Sequence, residues 1–233
     1  MKKHELARLS REGPARLIGT SRRALTGKVR VEGGRAVGFE SSLERDWQIC
    51  LDFDPCVRQI LEQPFSIFYP TDGGERRYTP DMLAEYCLGN GDSSVVVYEV
   101  KHIEELREEW QKYRRRFTEA VRHCRERGWR FKIVTERHIR TPYLQNAKFL
   151  RKYRVRQEQT LFKDQLLYSL KALGRTTPQA LLAFSYLHDE KRMAALTELW
   201  RMVAKREVFV DLDELLTMNS PLWIEEQKYE QYP

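Results

Sequence analysis

The stretch RRYTPDMLAEY, residues 76–86, places an aspartate directly behind a proline and ahead of an apolar run. Aspartate is a poor strand residue, and its carboxylate is costly to bury without a partner. Asp81 therefore either lies on a solvated face or meets a positively charged group there. The rest of the chain favours the second interpretation.

A second apolar run, VVVYEVK at 95–101, predicts a central buried strand because its hydrophobicity is continuous. Glu99 and Lys101 are two residues apart, so both side chains point to the same face of that strand. If this strand pairs with the preceding one through the turn at 89–94, Asp81 comes close to Glu99. Two adjacent carboxylates repel each other, and a divalent cation removes that conflict.

These residue types predict a metal site for phosphodiester hydrolysis. Hard Mg²⁺ prefers a few carboxylate oxygens together with water and substrate phosphate, and Mn²⁺ is expected to substitute for it. The metal supplies a nucleophile near neutral pH and stabilises charge on the phosphate. Lys101 can orient the attacking water or neutralise phosphate. The alternatives are a solvated Asp81 and an exposed ion pair between Glu99 and Lys101.

Periodicity and turn signals predict a small mixed α/β unit over residues 36–140, and Trp110, Tyr113 and Phe117 lie on the apolar stripe of its clearest helix. We expect those three rings to be core residues. The predicted elements are a hairpin around Gly33–Gly34, a helix over 41–53 capped by Ser41 or Ser42, a turn and one strand over 54–70, one strand over 76–88, the buried strand, a helix over 103–127 and a strand over 129–135.

The charge of +7 is distributed unevenly along the chain. Residues 1–35 carry a net +7, residues 36–100 carry −8, residues 101–156 carry +11 and residues 157–233 carry −3. Basic blocks on both sides of an acidic one suit a polyanion such as DNA with a cation held against its phosphates. Solvated basic helices are the alternative explanation.

Composition excludes several classes of protein. With 233 residues and 41% hydrophobic side chains, the chain can form one large or two small globular domains. We expect no membrane helix and no secretory signal, because no apolar run of suitable length occurs. The four cysteines lack metal-finger and C-x-x-C spacing, which favours reduced thiols in a cytoplasmic protein.

Pro80-Asp81 followed by Glu99-Val100-Lys101 resembles the PD-(D/E)xK nucleases. A narrower resemblance is to the TnsA endonuclease family, subunits of heteromeric bacterial transposases. It rests on four pieces in the same linear order, which are FESSLERD (39–46), DPCVRQILEQP (54–64), YTPD (78–81) and YEVK (98–101).

The resemblance implies a role. Such a subunit cuts the 5′, non-transferred strands at transposon ends in double-stranded DNA, while a partner integrase-like transposase cuts and joins the 3′ ends and an AAA+ regulator takes part. By motif position, Glu44, Asp81 and Lys101 match the catalytic residues of the family. Glu99 matches a position near the metal, and we expect it to be the fourth catalytic residue. Glu44, Asp81, Glu99 and the Val100 carbonyl are the expected metal ligands, and a bacterial, nucleoid-associated location is implied.

The resemblance also implies a restriction-endonuclease-like mixed sheet flanked by helices. After residue 157 the sequence predicts three short helices followed by two short strands, which is the outline of a winged helix-turn-helix and also fits the family. We expect a basic arm at 1–27, the nuclease domain at 28–150 and the winged-helix-like domain at 157–227. Two alternatives stay open, which are a stand-alone phage or restriction-type endonuclease and a non-catalytic winged-helix DNA-binding scaffold. The residues expected to contact DNA are Lys28, Arg30, Lys112, Arg114, Arg115 and Arg116.

Overall fold

The computed structural model describes residues 2–16, 26–31, 34–89 and 91–225, and its internal contacts divide the chain into two compact units, Met1–Arg140 and Thr141–Pro233. The elements of the first unit are α1 Lys2–Glu12, β1 Gly27–Arg30, β2 Ala36–Phe39, α2 Ser42–Phe53, β3 Val57–Glu62, β4 Ile67–Thr71, β5 Gly74–Tyr78, β6 Met82–Cys87, β7 Ser93–Val100, α3 Ile103–Glu126, β8 Arg130–Val134 and α4 Glu136–Ile139. Those of the second unit are α5 Pro142–Arg154, α6 Thr160–Leu173, α7 Pro178–Ser185, α8 Asp189–Ala204, β9 Phe209–Val210 and β10 Leu222–Trp223.

The first unit is built on a four-stranded mixed sheet with strand order β3-β6-β7-β8. Strands β3, β6 and β7 pair antiparallel, and β8 runs parallel to β7. The parallel pair is joined by α3, as a crossover connection requires. The prediction of a mixed α/β unit with helices around its sheet is therefore confirmed, and this architecture is consistent with a nuclease-like fold.

Helices α2 and α3 pack on opposite faces of this sheet, as the contacts of two successive residues of β7 show. Successive strand residues point to opposite faces. Val97 of β7 lies in a buried cluster with Cys124 of α3. Its neighbour Tyr98 contacts the ring of Trp47 from α2, with ring centroids 5.2 Å apart. Glu99 therefore lies on the face covered by α3.

Two predicted strands are each interrupted. The 54–70 segment forms β3 and β4, because Gln63 adopts a left-handed conformation with φ of 43° and Pro64 has no N–H for a ladder. The 76–88 segment forms β5 and β6, with the break at Thr79–Asp81. Asp81 therefore lies in the connection just ahead of β6, and its carbonyl accepts a hydrogen bond from the Gln63 N–H at 2.9 Å.

The predicted N-terminal arm contains a packed helix. Leu6 and Leu9 of α1 are buried beside Leu61 and Leu83 of the sheet. Residues 17–25 of that arm lie outside the described residues, as does Gly33 of the predicted hairpin, whose strands β1 and β2 pair antiparallel. Trp110 is 44% exposed, so the expectation that it is a core residue is wrong, whereas Tyr113 and Phe117 are buried.

The second unit contains four helices among its described residues, followed by the short antiparallel pair of β9 and β10. Thr177 caps α7 by accepting a hydrogen bond from the Ala180 N–H at 3.2 Å, and Pro178 opens the helix. The order of helices and strands agrees with the predicted order, and the winged-helix assignment stays a prediction. None of the described helices is long and apolar enough to cross a membrane.

Candidate active site

Asp81, Glu99 and Lys101 meet at the end of β7. The Lys101 Nζ lies 3.1 Å from Glu99 Oε1 and 3.9 Å from Asp81 Oδ2. Asp81 Oδ2 also accepts a hydrogen bond from the Val100 N–H at 2.7 Å. The structure thus brings together the three residues that the sequence placed in two different segments.

Strand register explains this convergence. Met82 pairs with Tyr98, so the preceding residue, Asp81, lies next to Glu99 where the β6–β7 ladder ends. Lys101 leaves β7 immediately afterwards, and its N–H donates to the Val134 carbonyl of β8 at 3.1 Å. The site is therefore attached to the two central strands of the sheet, which hold it rigidly.

Glu44 reaches the site from the first turn of α2. Ser41 caps this helix, and its Oγ accepts a hydrogen bond from the Glu44 N–H at 3.1 Å. Glu44 Oε2 in turn accepts from the Glu40 N–H at 2.9 Å. The charge of Lys101 lowers the pKa of Glu44, and the charge of Glu44 raises the pKa of Asp81. All four predicted catalytic residues therefore belong to one electrostatic cluster.

Two carboxyl groups of this cluster, those of Asp81 and Glu44, have raised pKa values and are therefore hard to ionise. Burial raises the pKa of Asp81 well above its ordinary value, and the neighbouring Glu99 and Glu44 charges add to the rise against the effect of Lys101. Burial likewise raises the pKa of Glu44, and its backbone hydrogen bond from Glu40 opposes this. The chain's own cations therefore do not fully compensate the negative charge that the site gathers.

Lys101 stays protonated. Burial alone lowers the pKa of its ammonium, but Asp81 and Glu99 outweigh that effect and raise the pKa above its ordinary value. A charged ammonium donates hydrogen bonds and stabilises anions, and it cannot accept a proton. Lys101 is therefore suited to contact a phosphate or water oxygen, and it is not suited to act as a general base.

Two residues that sequence reasoning did not assign to the site hold Glu99. The Tyr78 hydroxyl donates to Glu99 Oε2 at 2.6 Å, and an Arg116 terminal nitrogen lies 3.5 Å from Glu99 Oε1. No local pattern identifies these contacts, because they join β5 and α3 to β7. Tyr78 was visible only as part of the YTPD piece, and Arg116 only as one of several arginines on a helix.

The residues predicted to contact DNA lie in different settings. Lys28 and Arg30 are exposed on β1, and Lys112, Arg114 and Arg115 are exposed on α3. Lys112 pairs with Glu109 at 2.8 Å, and Arg115 lies 3.8 Å from Asp72. Arg116 differs from these five, because its side chain is only 23% exposed and faces Glu99.

Among the described residues, no group of three or more His, Cys, Asp or Glu side chains is positioned to hold a metal ion. The donor chemistry nevertheless suits a hard cation, because Asp81 Oδ1 has no hydrogen-bond donor among the described residues while burial and neighbouring carboxylates raise the pKa of that side chain. The Val100 carbonyl accepts from Lys101 Nζ at 3.1 Å. Carboxylate oxygens and this carbonyl are the ligand types that Mg²⁺ prefers.

The mixed α/β sheet flanked by helices is consistent with a nuclease-like fold, and Asp81, Glu99 and Lys101 lie where two of its strands end. Residues 54–136 match the family described as TnsA-like endonuclease N terminal, so this part of the chain is similar to TnsA-like endonucleases. Asp81, Glu99 and Lys101 lie inside the matched range, and Glu44 lies outside it. A comparison with curated proteins found no match.

Proposed function

We propose that this chain is the transposon-end endonuclease subunit that cuts the 5′, non-transferred strands by metal-dependent hydrolysis. The observation that carries the proposal is the convergence of Asp81, Glu99 and Lys101 within the segment that matches the TnsA-like family. The family match supports a transposon-related nuclease, and the choice of strand is part of the proposal.

Glu44, Asp81, Glu99 and the Val100 carbonyl would hold Mg²⁺, with Mn²⁺ able to replace it. When bound, the metal would neutralise the buried carboxylates and stabilise the charge that develops on the phosphate. The Val100 N–H fixes one oxygen of Asp81 and leaves the other available. Glu40 fixes Glu44 in the same way through its backbone N–H.

Lys101 contributes a fixed positive charge in the cleavage step. Its ammonium is held next to Glu99 at 3.1 Å, where it can donate to a non-bridging phosphate oxygen or to the attacking water. Hydrolysis then breaks one phosphorus–oxygen bond, and water supplies the hydroxyl of the new phosphate end and the proton of the leaving hydroxyl.

The proposed partners follow from the family match and from charge. DNA would approach the exposed basic residues of β1 and α3, and an integrase-like transposase and an AAA+ regulator would complete the complex. We also propose that α6 to α8 with the β9–β10 pair form the winged-helix-like domain, supported by their order along the chain. This part of the sequence has a net charge of −3, which suits a protein partner as well as DNA.

The first test is a transposition assay with the native chain and Asp81→Ala, in which the product joints are sequenced. Loss of 5′-strand cleavage should shift the products from simple insertions to cointegrates. Unchanged simple insertions would rule out Asp81 as a catalytic residue and would favour the scaffold alternative. Calorimetry with Mn²⁺ tests the metal, because the native isotherm should be lost in Asp81→Ala.

A stand-alone nuclease with the same site is distinguished by its dependence on partners. The purified chain should not cut transposon-end DNA until the transposase is added. Cleavage by the chain alone, at the same ends and rate, would favour the phage or restriction-type alternative.

A further inference from the structure

Glu99 is held on both of its carboxylate oxygens. Tyr78 donates to Oε2 at 2.6 Å, while Oε1 faces Lys101 at 3.1 Å and Arg116 at 3.5 Å. The side chain is only 3% exposed, so a carboxylate in this position needs these donors to remain buried. Its orientation is therefore fixed by Tyr78 of β5, by Arg116 of α3 and by Lys101, which directly follows β7.

Arg116 is packed as an internal cation. Its guanidinium carbon lies 4.1 Å from the ring centroid of Tyr113 and 5.4 Å from that of Tyr78. Its Nε is buried without a hydrogen-bond partner among the described residues. A guanidinium stacked between rings and turned towards Glu99 is not presented to solvent as a phosphate-binding arginine is.

The rings that hold Arg116 are themselves fixed. Tyr113 is buried, and its hydroxyl oxygen lies within hydrogen-bond distance of the carboxylates of Glu109, at 2.6 Å, and of Glu105. Glu109 is also the residue where α3 departs from helical geometry, with φ of −109° and ψ of 17°. Arg116 therefore packs on a ring that is held in place by its own hydrogen bonding, which restricts how far the guanidinium can turn towards a ligand.

We propose that Tyr78 and Arg116 are positioning residues, which orient the Glu99 carboxylate so that it holds the Lys101 ammonium at the cleavage site. This inference rests on the proposed function and deepens it. It also replaces the expectation that Arg116 contacts DNA, because one side chain cannot be stacked on Tyr113 against Glu99 and bind a phosphate at the surface.

The geometry gives each residue a separate part. Tyr78 fixes Oε2 with a short hydrogen bond, so the carboxylate cannot rotate. Arg116 and Lys101 then share Oε1, and the charge of Arg116 limits how far Lys101 is drawn in towards Glu99. Loss of either residue should misplace the ammonium while the exposed basic residues that would meet DNA remain unchanged.

The test separates cleavage from DNA binding with four variants of the full chain: Arg116→Gln, Arg116→Lys, Tyr78→Phe and Arg114→Gln. Arg114 is the matched control, because it is an exposed arginine two positions earlier on the same helix. Cleavage is measured at saturating transposon-end DNA with the transposase present. DNA affinity is measured across a salt series without metal, and thermal unfolding shows that each variant is folded.

We expect Arg116→Gln to lower the rate of cleavage at saturating DNA by about 10–100-fold, as loss of a supporting partner of an active-site group typically does. Its DNA affinity and salt slope should equal those of the native chain. Arg116→Lys should recover part of the rate because it restores the charge. Tyr78→Phe, which loses only the hydroxyl, should lower the rate without changing affinity.

Arg114→Gln supplies the opposite pattern, because losing a phosphate contact should weaken binding and reduce the salt slope by about one. If Arg116→Gln shows that same pattern with a native rate at saturation, Arg116 is a DNA contact and the inference is overturned. If the native chain neither binds Mn²⁺ nor cuts with the transposase, the proposed function fails, and the positioning role fails with it.

Discussion

Two ion clusters of this chain have buried members and similar groups, but the pKa values of their carboxyl groups shift in opposite directions. In the second unit, Arg201 donates through Nε to Glu198 at 2.8 Å and through its terminal nitrogens to Glu207 at 3.1 Å and Glu158 at 3.2 Å. In the first unit, Lys101 approaches Glu99 at 3.1 Å but Asp81 only at 3.9 Å. The planar guanidinium reaches three carboxylates at once, whereas the single ammonium reaches one well.

The pKa values follow this geometry. In the Arg201 cluster, a hydrogen bond from Lys163 lowers the pKa of Glu158, and Glu158 and Glu207 raise the pKa of Lys163. In the Lys101 cluster, burial and neighbouring carboxylates raise the pKa of Asp81. The first arrangement stabilises the charged forms of Glu158 and Lys163. The second keeps Asp81 hard to ionise, and an additional cation, such as the metal proposed above, would favour its charged form.

The largest effect on stability should come from Arg201→Met. This change leaves Glu198, which is 1% exposed, as a buried charge without its partner, and removing one member of a buried pair costs about 3–5 kcal/mol. The measurement is urea unfolding followed by tryptophan fluorescence, since Trp200 lies next to Arg201 on α8 and is buried.

Lys191→Met is the control for this change, because Lys191 is exposed at the start of the same helix and surface changes stay within about 0.5 kcal/mol. Equal midpoints for the two variants would show that the Arg201 cluster adds no stability. The Arg201 cluster would then not differ from the Lys101 cluster by stabilising the fold.

Lys101→Met should have the next largest effect, on cleavage rather than on folding. Loss of a preorganised donor to a developing anion lowers the rate by about 10²–10³-fold. The measurement is 5′-strand cleavage of transposon ends with the transposase present. Lys132→Met is the control, because Lys132 is an exposed lysine on β8 that lies outside the proposed machinery. A native rate in Lys101→Met would remove lysine from the mechanism.

The sequence predicted the parts of this site that depend on local patterns. The Glu-x-Lys at the end of VVVY placed Glu99 and Lys101 on one face, and the pairing of β6 with β7 then brought Asp81 beside them. The helix after β7 was visible from its apolar period, and the structure gives Ile103–Glu126.

The remaining features depend on tertiary contacts that no local pattern contains. The break between β5 and β6 is stabilised by bonds from Gln63 and Val100 to Asp81, and those residues are distant in sequence. Arg116 resembles its exposed neighbours in the sequence, and only its packing on Tyr113 separates it from them. Trp110 shares the period of the apolar stripe, yet it is 44% exposed, and periodicity alone does not separate it from its buried neighbours.

The third prediction concerns how stability depends on pH. In contrast to Arg201→Met, which should lower stability, a substitution at Asp81 should raise it. Because the pKa of Asp81 is raised in the folded chain, its charged form costs stability. The stability that the neutral Asp81 side chain provides is fully present below the pKa that this group has in the unfolded chain. It is lost as the pH rises through the higher pKa that the group has in the folded chain. Asp81→Asn carries no such charge, so with metal chelated it should unfold at a higher temperature than the native chain near pH 7.

The advantage of Asp81→Asn should shrink as pH falls, and it is measured by calorimetry over a pH series. Each kcal/mol corresponds to about 2–4 °C in a chain of this size. Added Mn²⁺ should stabilise the native chain alone and so narrow the gap at neutral pH. A lower melting temperature for Asp81→Asn at every pH would show that Asp81 is a satisfied structural ion, like the carboxylates around Arg201.

The smallest expected effects are at two similar helix N-caps, where the loss of stability can be compared with the loss of cleavage. Ser41 caps α2 through the Glu44 N–H at 3.1 Å, and Thr177 caps α7 through the Ala180 N–H at 3.2 Å. Replacing either with alanine should cost about 1 kcal/mol, because both remove the same type of hydrogen bond. Only Ser41→Ala should also slow cleavage, since Glu44 belongs to the Lys101 cluster and Ala180 belongs to no proposed site. Equal losses of stability with unequal losses of cleavage would show that the first turn of α2 positions a catalytic carboxylate, whereas unchanged cleavage in Ser41→Ala would show that Glu44 does not depend on its cap.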